Sequence, residues 1–363
     1  MTLDLTLLPD GGLHWLSASG DHSDIVLSSR IRLARNLAGF AFPTRAREGE
    51  RLRVLHQLRE VAPRVESLRH AALVRVDECT PQERLLLHER HLVSRELAGL
   101  DQGKETQVAG AGAVFVTGDA GLMVNEEDHL RLQVFRSGFD VPGALREAEK
   151  MDRELGAELP YAWHGEFGFL TACPTNTGTG MRASVLIHLP GLVLTQEIAK
   201  VLQGLQHMGL TYRGLYGEGS DVLGNFFQIS NQTTLGRSEE ELADQLVRVV
   251  KRVIEREEEA RRVLLRDAGY IIEDKLWRAY GTLRHARNLP ADEAMNLLSG
   301  VRLAAGLNLV SGLSVYTLNK LLIFSQSAHL AQIEGRVLTE GEANLARARY
   351  VRQVLANEAR LPG

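Results

Sequence analysis

The chain has 363 residues, 42 lysines and arginines against 46 acids, a formal net charge of −4 and 44% apolar content. That is enough chain for a large core and two domains, and the near-neutral balance gives no reason to expect a nucleic-acid or membrane partner. The opening MTLDLTLLPDGG lacks the charged and apolar regions of a signal peptide, no run approaches the roughly 20 apolar residues of a membrane span, and two distant cysteines, Cys79 and Cys173, fit a reducing cytoplasm better than a disulfide framework or zinc ribbon.

In chain order, VLSSRIRLARN (26–36) carries Arg30 and Arg32 two apart, so that on a strand both would point to one face. GERLRVLHQLREVAPRVESL and TPQERLLLHERHLVSREL have helical spacing. AVFVTGDAGLMV reads as two short strands around a Gly-Asp-Ala-Gly turn, and VNEEDHLRLQ follows with Glu126, Glu127 and Asp128 side by side. GFLTAC, RASVLIHLP and NFFQISN are further β-like runs. The mixture, without regular βαβ alternation, predicts an α+β domain with an antiparallel sheet flanked by helices over residues 1–237.

From residue 238 the pattern is helical almost throughout, which predicts an all-α C-terminal domain over 238–363. Ser238 with Glu241, and Thr339 with Glu342, form capping boxes; Pro290 with two acids opens another helix. The apolar stripes of these helices can bury against the first domain or against a second copy of the chain.

Five arginines recur beside glycine, serine or strand ends: Arg30, Arg32, Arg131, Arg182 and Arg213. Converging on one cleft, their forks would clamp a polyphosphate; singly, each reads as an ordinary surface arginine. TNTGTGMR supplies small, flexible backbone whose N–H groups could cradle phosphate. There is no P-loop, HExxH, CxxC or GxSxG, and GEGSDVLG is not set as a dinucleotide fingerprint requires. His129 and His188 stand alone, as structural histidines do. Cys173 reads as a small buried hydrophobe or, beside arginines, as a thiolate. The acidic run alone is compatible with a solvated turn.

Taken together, SSRIRLARN, NEEDHLRLQ, CPTNTGTGMRAS, RGLYGEGS and ISNQTTLG resemble, in order, the motifs of the phosphagen (guanidino) kinases, over essentially the whole chain. LYGEGS, QISNQTTLGRSEEE and the helical C-terminal part resemble the bacterial protein-arginine kinase branch, McsB. Only a short leader precedes Ser28, where the small-molecule kinases of the superfamily carry a helical domain; the acceptor side is therefore expected to be more open.

The resemblance implies a phosphagen-kinase-like fold and transfer of the γ-phosphoryl of ATP, with Mg²⁺, to a guanidinium of a protein arginine. Glu127 takes the place of the family's catalytic carboxylate and Glu218 that of the second carboxylate. Glu126 would support the loop or the magnesium's water shell, and Cys173 would tune the guanidinium. Arg30, Arg32, Arg131, Arg182 and Arg213, with Ser28 and His188, would serve the nucleotide, and no dedicated protein cage is expected for the metal. The acidic run then reads as part of a guanidinium site. The resemblance further implies a homodimer, a McsA-type activator, a ClpC-type unfoldase that receives the marked proteins, and cytoplasmic quality control. A small-molecule guanidino kinase and a catalytically silent arginine- or phosphoarginine-binding adaptor are the alternatives.

Two departures stand out. Leu186 occupies the place where many relatives set a histidine against adenine, and His188, two residues on, shares its strand face. ANLARA (343–348) replaces an RDxxRA phosphoarginine motif: Arg347 and Ala348 fit, but Ala343 and Asn344 stand for the leading Arg-Asp pair. Without that first fork, phosphoarginine feedback through this segment is expected to be weak or absent.

Overall fold

The computed structural model describes residues 13–100, 110–215, 222–310 and 312–358. The elements are, in order, β1 (Val26–Arg35), α1 (Glu48–Val61), β2 (Ala72–Arg75), α2 (Pro81–Glu89), α3 (Arg95–Ala98), β3 (Ala113–Val116), β4 (Ala120–Val124), β5 (Leu130–Ser137), α4 (Val141–Glu158), β6 (Trp163–His164), β7 (Gly168–Phe169), β8 (Met181–His188), α5 (Pro190–Leu194), α6 (Ile198–His207), β9 (Leu210–Arg213), β10 (Phe226–Asn231), α7 (Glu239–His285), α8 (Ala291–Gly306), α9 (Val315–Phe324), α10 (Ser327–Glu334) and α11 (Glu340–Glu358).

Eight strands form one sheet in the order β2-β3-β4-β5-β1-β8-β10-β9, antiparallel at every pairing. The fold is therefore the expected α+β arrangement of an antiparallel sheet flanked by helices, followed by a helical region. The period-2 pattern explains its layering. Ile31 and Leu33 of β1, Ala183, Val185 and Ile187 of β8 and Ile229 of β10 point to one face and are buried with α4 and the first part of α7. Arg30, Arg32, Arg182 and Gln228 alternate to the opposite face.

Helix starts follow the capping chemistry. Thr80 accepts from the Glu83 N–H and Ser238 from the Glu241 N–H, with the glutamates reaching back. Thr339 and Glu342 make the same exchange before α11.

Three boundaries differ from the sequence expectation. TPQERLLLHERHLVSREL is two helices, because His91 at φ 59° cannot continue α2. GFLTAC contributes only Gly168–Phe169 to a strand. The change at residue 238 is a helix start and not a division in packing. Leu242, Leu246, Val250, Val253 and Ile254 of α7 are buried in the sheet's own core. The helix then breaks regularity at Ala268 (φ −141°, ψ 26°), and beyond it Ile272, Leu276 and Leu283 pack with the later helices. The first part of α7 thus covers the sheet, because its apolar stripe has the sheet's free face to bury against.

Candidate active site

The sheet face opposite the core carries the arginines. In the β1–β8 ladder Arg32 pairs directly with Arg182, and Arg30 with Ser184. In the β1–β5 ladder Ala34 pairs with Arg131, Arg32 with Gln133 and Arg30 with Phe135. Across β10, Gln228 pairs with Arg213. Directly paired residues share a face, so register alone sets all five arginines on one surface. They line a single cleft of about 600 Å³ with Glu126, Glu127, Cys173 and Gln228.

These cations are held close together and half-buried at the cleft floor. Arg30 donates to the Gln228 side-chain oxygen at 3.2 Å and lies over the Phe135 ring at 5.3 Å. Arg182 donates to the Ser230 hydroxyl at 3.3 Å. Burial, reinforced by Arg182 and Arg131, pulls the Arg30 guanidinium down to about 10. Burial with repulsion from Arg30, Arg131 and Arg182, opposed by Glu126, pulls Arg32 well below its ordinary value, and its Nε has no hydrogen-bond partner among the described residues. Buried like charges with an unspent donor leave a strong positive field that a polyanion would satisfy.

The acidic run is not a solvated turn. The Glu126 side chain is 0% exposed and bonds Arg131 at 2.6 Å, while also accepting the Glu127 N–H at 2.8 Å. Glu127 bonds the other arm of Arg131 at 2.8 Å and is 37% exposed, so it is the member open to the cleft. Arg131 therefore joins the acids to the arginine group, where the sequence suggested a phosphate contact alone. Burial, reinforced by Glu126 and Asp128 and opposed by Arg131, raises the Glu127 carboxyl above its ordinary range. Asp128 points inward: it accepts from Asn36 Nδ2 at 2.6 Å and from the Ala172 N–H at 2.7 Å. Asn36 in turn accepts the His129 N–H, and the His129 Nδ1 accepts the Leu37 N–H. His129 is thus a structural histidine that fixes the acidic loop against β1.

Asp128 also sets the opposite wall, because Ala172 precedes Cys173. Cys173 is half-buried, with Sγ 3.0 Å from the Thr175 hydroxyl. The loop continues past Gly178 (φ +115°), whose place permits no side chain: a Cβ there would lie 2.3 Å from the Thr234 carbonyl. Thr234 closes the arrangement by donating to the carbonyls of Thr175 and Thr177.

Two expected nucleotide-binding residues lie elsewhere. Ser28 and His188 share the arginine face but sit beyond the cleft. Ser28 is buried. His188 is sealed under the helical region, with Nε2 2.8 Å from the Ser299 hydroxyl, Nδ1 3.0 Å from Arg302 and its ring stacked on Phe226. Leu186, between the cleft and His188, is also buried, in an apolar cluster with Phe135, Phe226 and Leu298. The sequence could not show that α8 packs onto that end of the strand. Glu218 lies outside the described residues. Gln228, Ser230 and Asn36 escaped the sequence reading, and Asp128 was noted there only as a member of the acidic run. The period-2 register of NFFQISN is a signal that could have found the first two.

In α11, Arg347 is buried and donates to the carbonyls of Ser325 and Leu289 and to the Asn344 side chain. Its fork is thus engaged within the fold.

Residues 53–260 match the family model of the ATP:guanido phosphotransferase C-terminal catalytic domain, and residues 270–361 that of the protein-arginine kinase McsB C-terminal domain. The chain is 42% identical over 349 residues to a protein-arginine kinase of Pelotomaculum thermopropionicum, covering 95% of this chain and 96% of that one. The chain belongs to the protein-arginine kinase family. A second member of the family, from Bacillus cereus, is 41% identical over 95% of this chain and 96% of its own. Among solved structures, lombricine kinase superposes with a TM-score of 0.56 at 24% identity, over 71% of this chain and 70% of that one. A duplicated taurocyamine kinase of Schistosoma mansoni gives 0.56 at 23% identity, over 69% of this chain and 37% of that one. These two likenesses concern the fold. The break between the two family models, 260 to 270, brackets the irregularity of α7 at Ala268.

Proposed function

We propose that this protein-arginine kinase transfers the γ-phosphoryl of ATP to a guanidinium nitrogen of an arginine side chain in a protein. The observation that carries the reading is the juxtaposition of five arginines on one sheet face with Glu127 and Cys173 on the adjoining rim. Phosphoryl transfer needs little covalent chemistry from the protein; positioning and charge stabilisation do most of it.

Arg30, Arg32, Arg182 and Arg213 would grip the phosphate oxygens, with Arg131 shared between them and the acids. Glu127 would hold the acceptor guanidinium, align one nitrogen and take its proton. The new N–P bond forms as the bond from the γ-phosphorus to the bridging oxygen breaks, and ADP leaves with that oxygen. Glu218, in the family's position for a second carboxylate, would hold the acceptor from the other side. Cys173 would orient the guanidinium without a covalent intermediate. Among the described residues no group of three or more His, Cys, Asp or Glu side chains could cage a metal ion. Mg²⁺ bound with the nucleotide would offset phosphate charge, with Glu127 as the exposed cleft carboxylate able to reach its water shell, while Glu126, buried on Arg131, would support the loop.

Family membership supports the remaining parts of the reading: a homodimer, a McsA-type activator, a ClpC-type unfoldase that takes the marked proteins, and a cytoplasmic setting. No described helix is long and apolar enough to cross a membrane.

The test is phosphorylation of a partly unfolded, arginine-containing protein with Mg-ATP, with free arginine and creatine in parallel. The product is read by mass spectrometry without acid, since N–P bonds are acid-labile. Phosphate on protein arginines, abolished by Glu127→Ala, is the expected result. Turnover of the free compounds alone would place the chain with the small-molecule kinases.

A further inference from the structure

The segment leading to Cys173 carries an exposed aromatic hairpin that the chemistry above does not use. β6 and β7 form a separate two-stranded sheet, with Trp163 opposite Phe169. Trp163 is 58% exposed and Phe167, in the turn, 44%. Large aromatics this exposed lose hydration favourably when an apolar side chain covers them.

The hairpin is also rigidly mounted. The Trp163 ring meets Phe169 edge-on at 4.8 Å, and the buried Arg35 guanidinium lies on Phe169 at 3.4 Å. Arg35 is in turn locked to Asp152 at 2.7 Å. Phe167 stacks on His164 at 4.9 Å. On its other side β7 bonds the cleft wall: the Phe169 N–H donates to the Gly178 carbonyl at 2.8 Å, and a Cβ on Gly168 would lie 2.6 Å from that oxygen. Preorganised aromatic anchors bind at low entropic cost.

We propose that Trp163 and Phe167 are a docking shelf for apolar side chains flanking the arginine that enters the cleft. This rests on the reading that the cleft phosphorylates arginine within polypeptides. Reach supports that occupant. Phe167 is six positions from Cys173 in the chain, so it lies no more than about 20 Å away even if that stretch were fully extended. A substrate extended over the same span would bring a side chain within about six residues of its arginine onto the shelf. A protein exposing such stretches is an unfolded one, so the shelf would favour unfolded over folded substrates.

The experiment uses full-length chain, wild type and the double variant Trp163→Ser/Phe167→Ser, on two synthetic peptides. Each has one central arginine; one carries leucines about four to six residues away on both sides, the other serines there. The wild type is expected to show a kcat/KM about tenfold higher for the leucine peptide, through KM. The double variant should lose that preference while keeping the serine-peptide rate and the KM for ATP. Equal loss on both peptides, or a retained preference, overturns the shelf. So does a fall in sedimentation mass in the double variant, which would make the hairpin a contact between copies. If the wild type phosphorylates neither peptide nor an unfolded protein, the kinase reading itself fails.

Discussion

Arg32 and Arg182 stand directly opposite each other in the β1–β8 ladder, two guanidiniums on adjacent strands, with the Nε of Arg32 unpartnered among the described residues. A fold builds such a pair at a cost, since neither burial nor proximity favours two like charges. Glu126 offsets part of that cost, and an arriving anion would offset more.

Arg32→Met should therefore separate activity from stability. Turnover should fall on the order of 10²- to 10³-fold, as for the loss of a preorganised charge donor. The fold should become more stable by about 1–3 kcal/mol, because a buried cation is replaced by an apolar chain of similar length. Urea midpoints and initial rates on the same samples check both halves. A variant that is both inactive and destabilised would mean that Arg32 holds the fold rather than phosphate.

The pH dependence follows from Glu127. Its carboxyl is raised above the usual value of 4.5, burial being the main cause. A raised carboxyl takes up its proton sooner as pH falls, and the protonated form cannot accept one from the guanidinium. The acid limb of kcat should accordingly have its midpoint above 4.5, with rates dropping about tenfold per pH unit below it. Initial rates between about pH 5 and about pH 8 in Glu127→Gln should show no such limb on the residual rate.

Gly178→Ala tests the wall that carries Cys173. Its φ of +115° and the Thr234 carbonyl 2.3 Å from a built Cβ leave no room for a methyl group. The backbone must shift, at about 1–3 kcal/mol, and the shift passes to both Cys173 and β7. Thermal midpoint and kcat should fall together, whereas the conservative Thr175→Ser should leave both near the wild-type values.

A fourth expectation concerns the start of α5. Glu257 accepts the N–H groups of Gly191 and Leu192 at 2.8 and 2.9 Å and pairs with the buried Arg261 at 2.8 Å. Glu257→Ala strands both backbone donors and the Nε of Arg261, whose other arm keeps Asp24 at 2.9 Å, so unfolding by urea should show a loss of about 2–5 kcal/mol. Glu257→Gln keeps one acceptor and should lose less.

Much of this was legible in the residues. Capping boxes at Ser238 and Thr339 place helix starts, and the two-residue spacing of Arg30 and Arg32 gives their shared face. What the sequence withholds is register and long-range packing. Nothing local tells that Gln228 lands beside Arg213, or that Asp128 turns inward to hold Ala172 while its neighbours face the cleft. His188 was misplaced for the same reason. Its strand face is right, but the helix that closes over it lies more than a hundred residues away in sequence. The expected boundary at 238 mistook a change of composition for a change of core: α7 begins there, yet its first half serves the sheet.

The arginine face is one surface with two surroundings. Along β8, Arg182 faces the cleft, while Leu186 and His188 are sealed by helices whose side chains, among the described residues, line no part of that cleft. The waterline thus crosses the strand midway rather than running between layers. A tilt of the helical region that freed one residue pair, about 7 Å of strand, would lengthen the wet part of the sheet and dilute the charge confined there. Where those helices rest determines how far the water reaches.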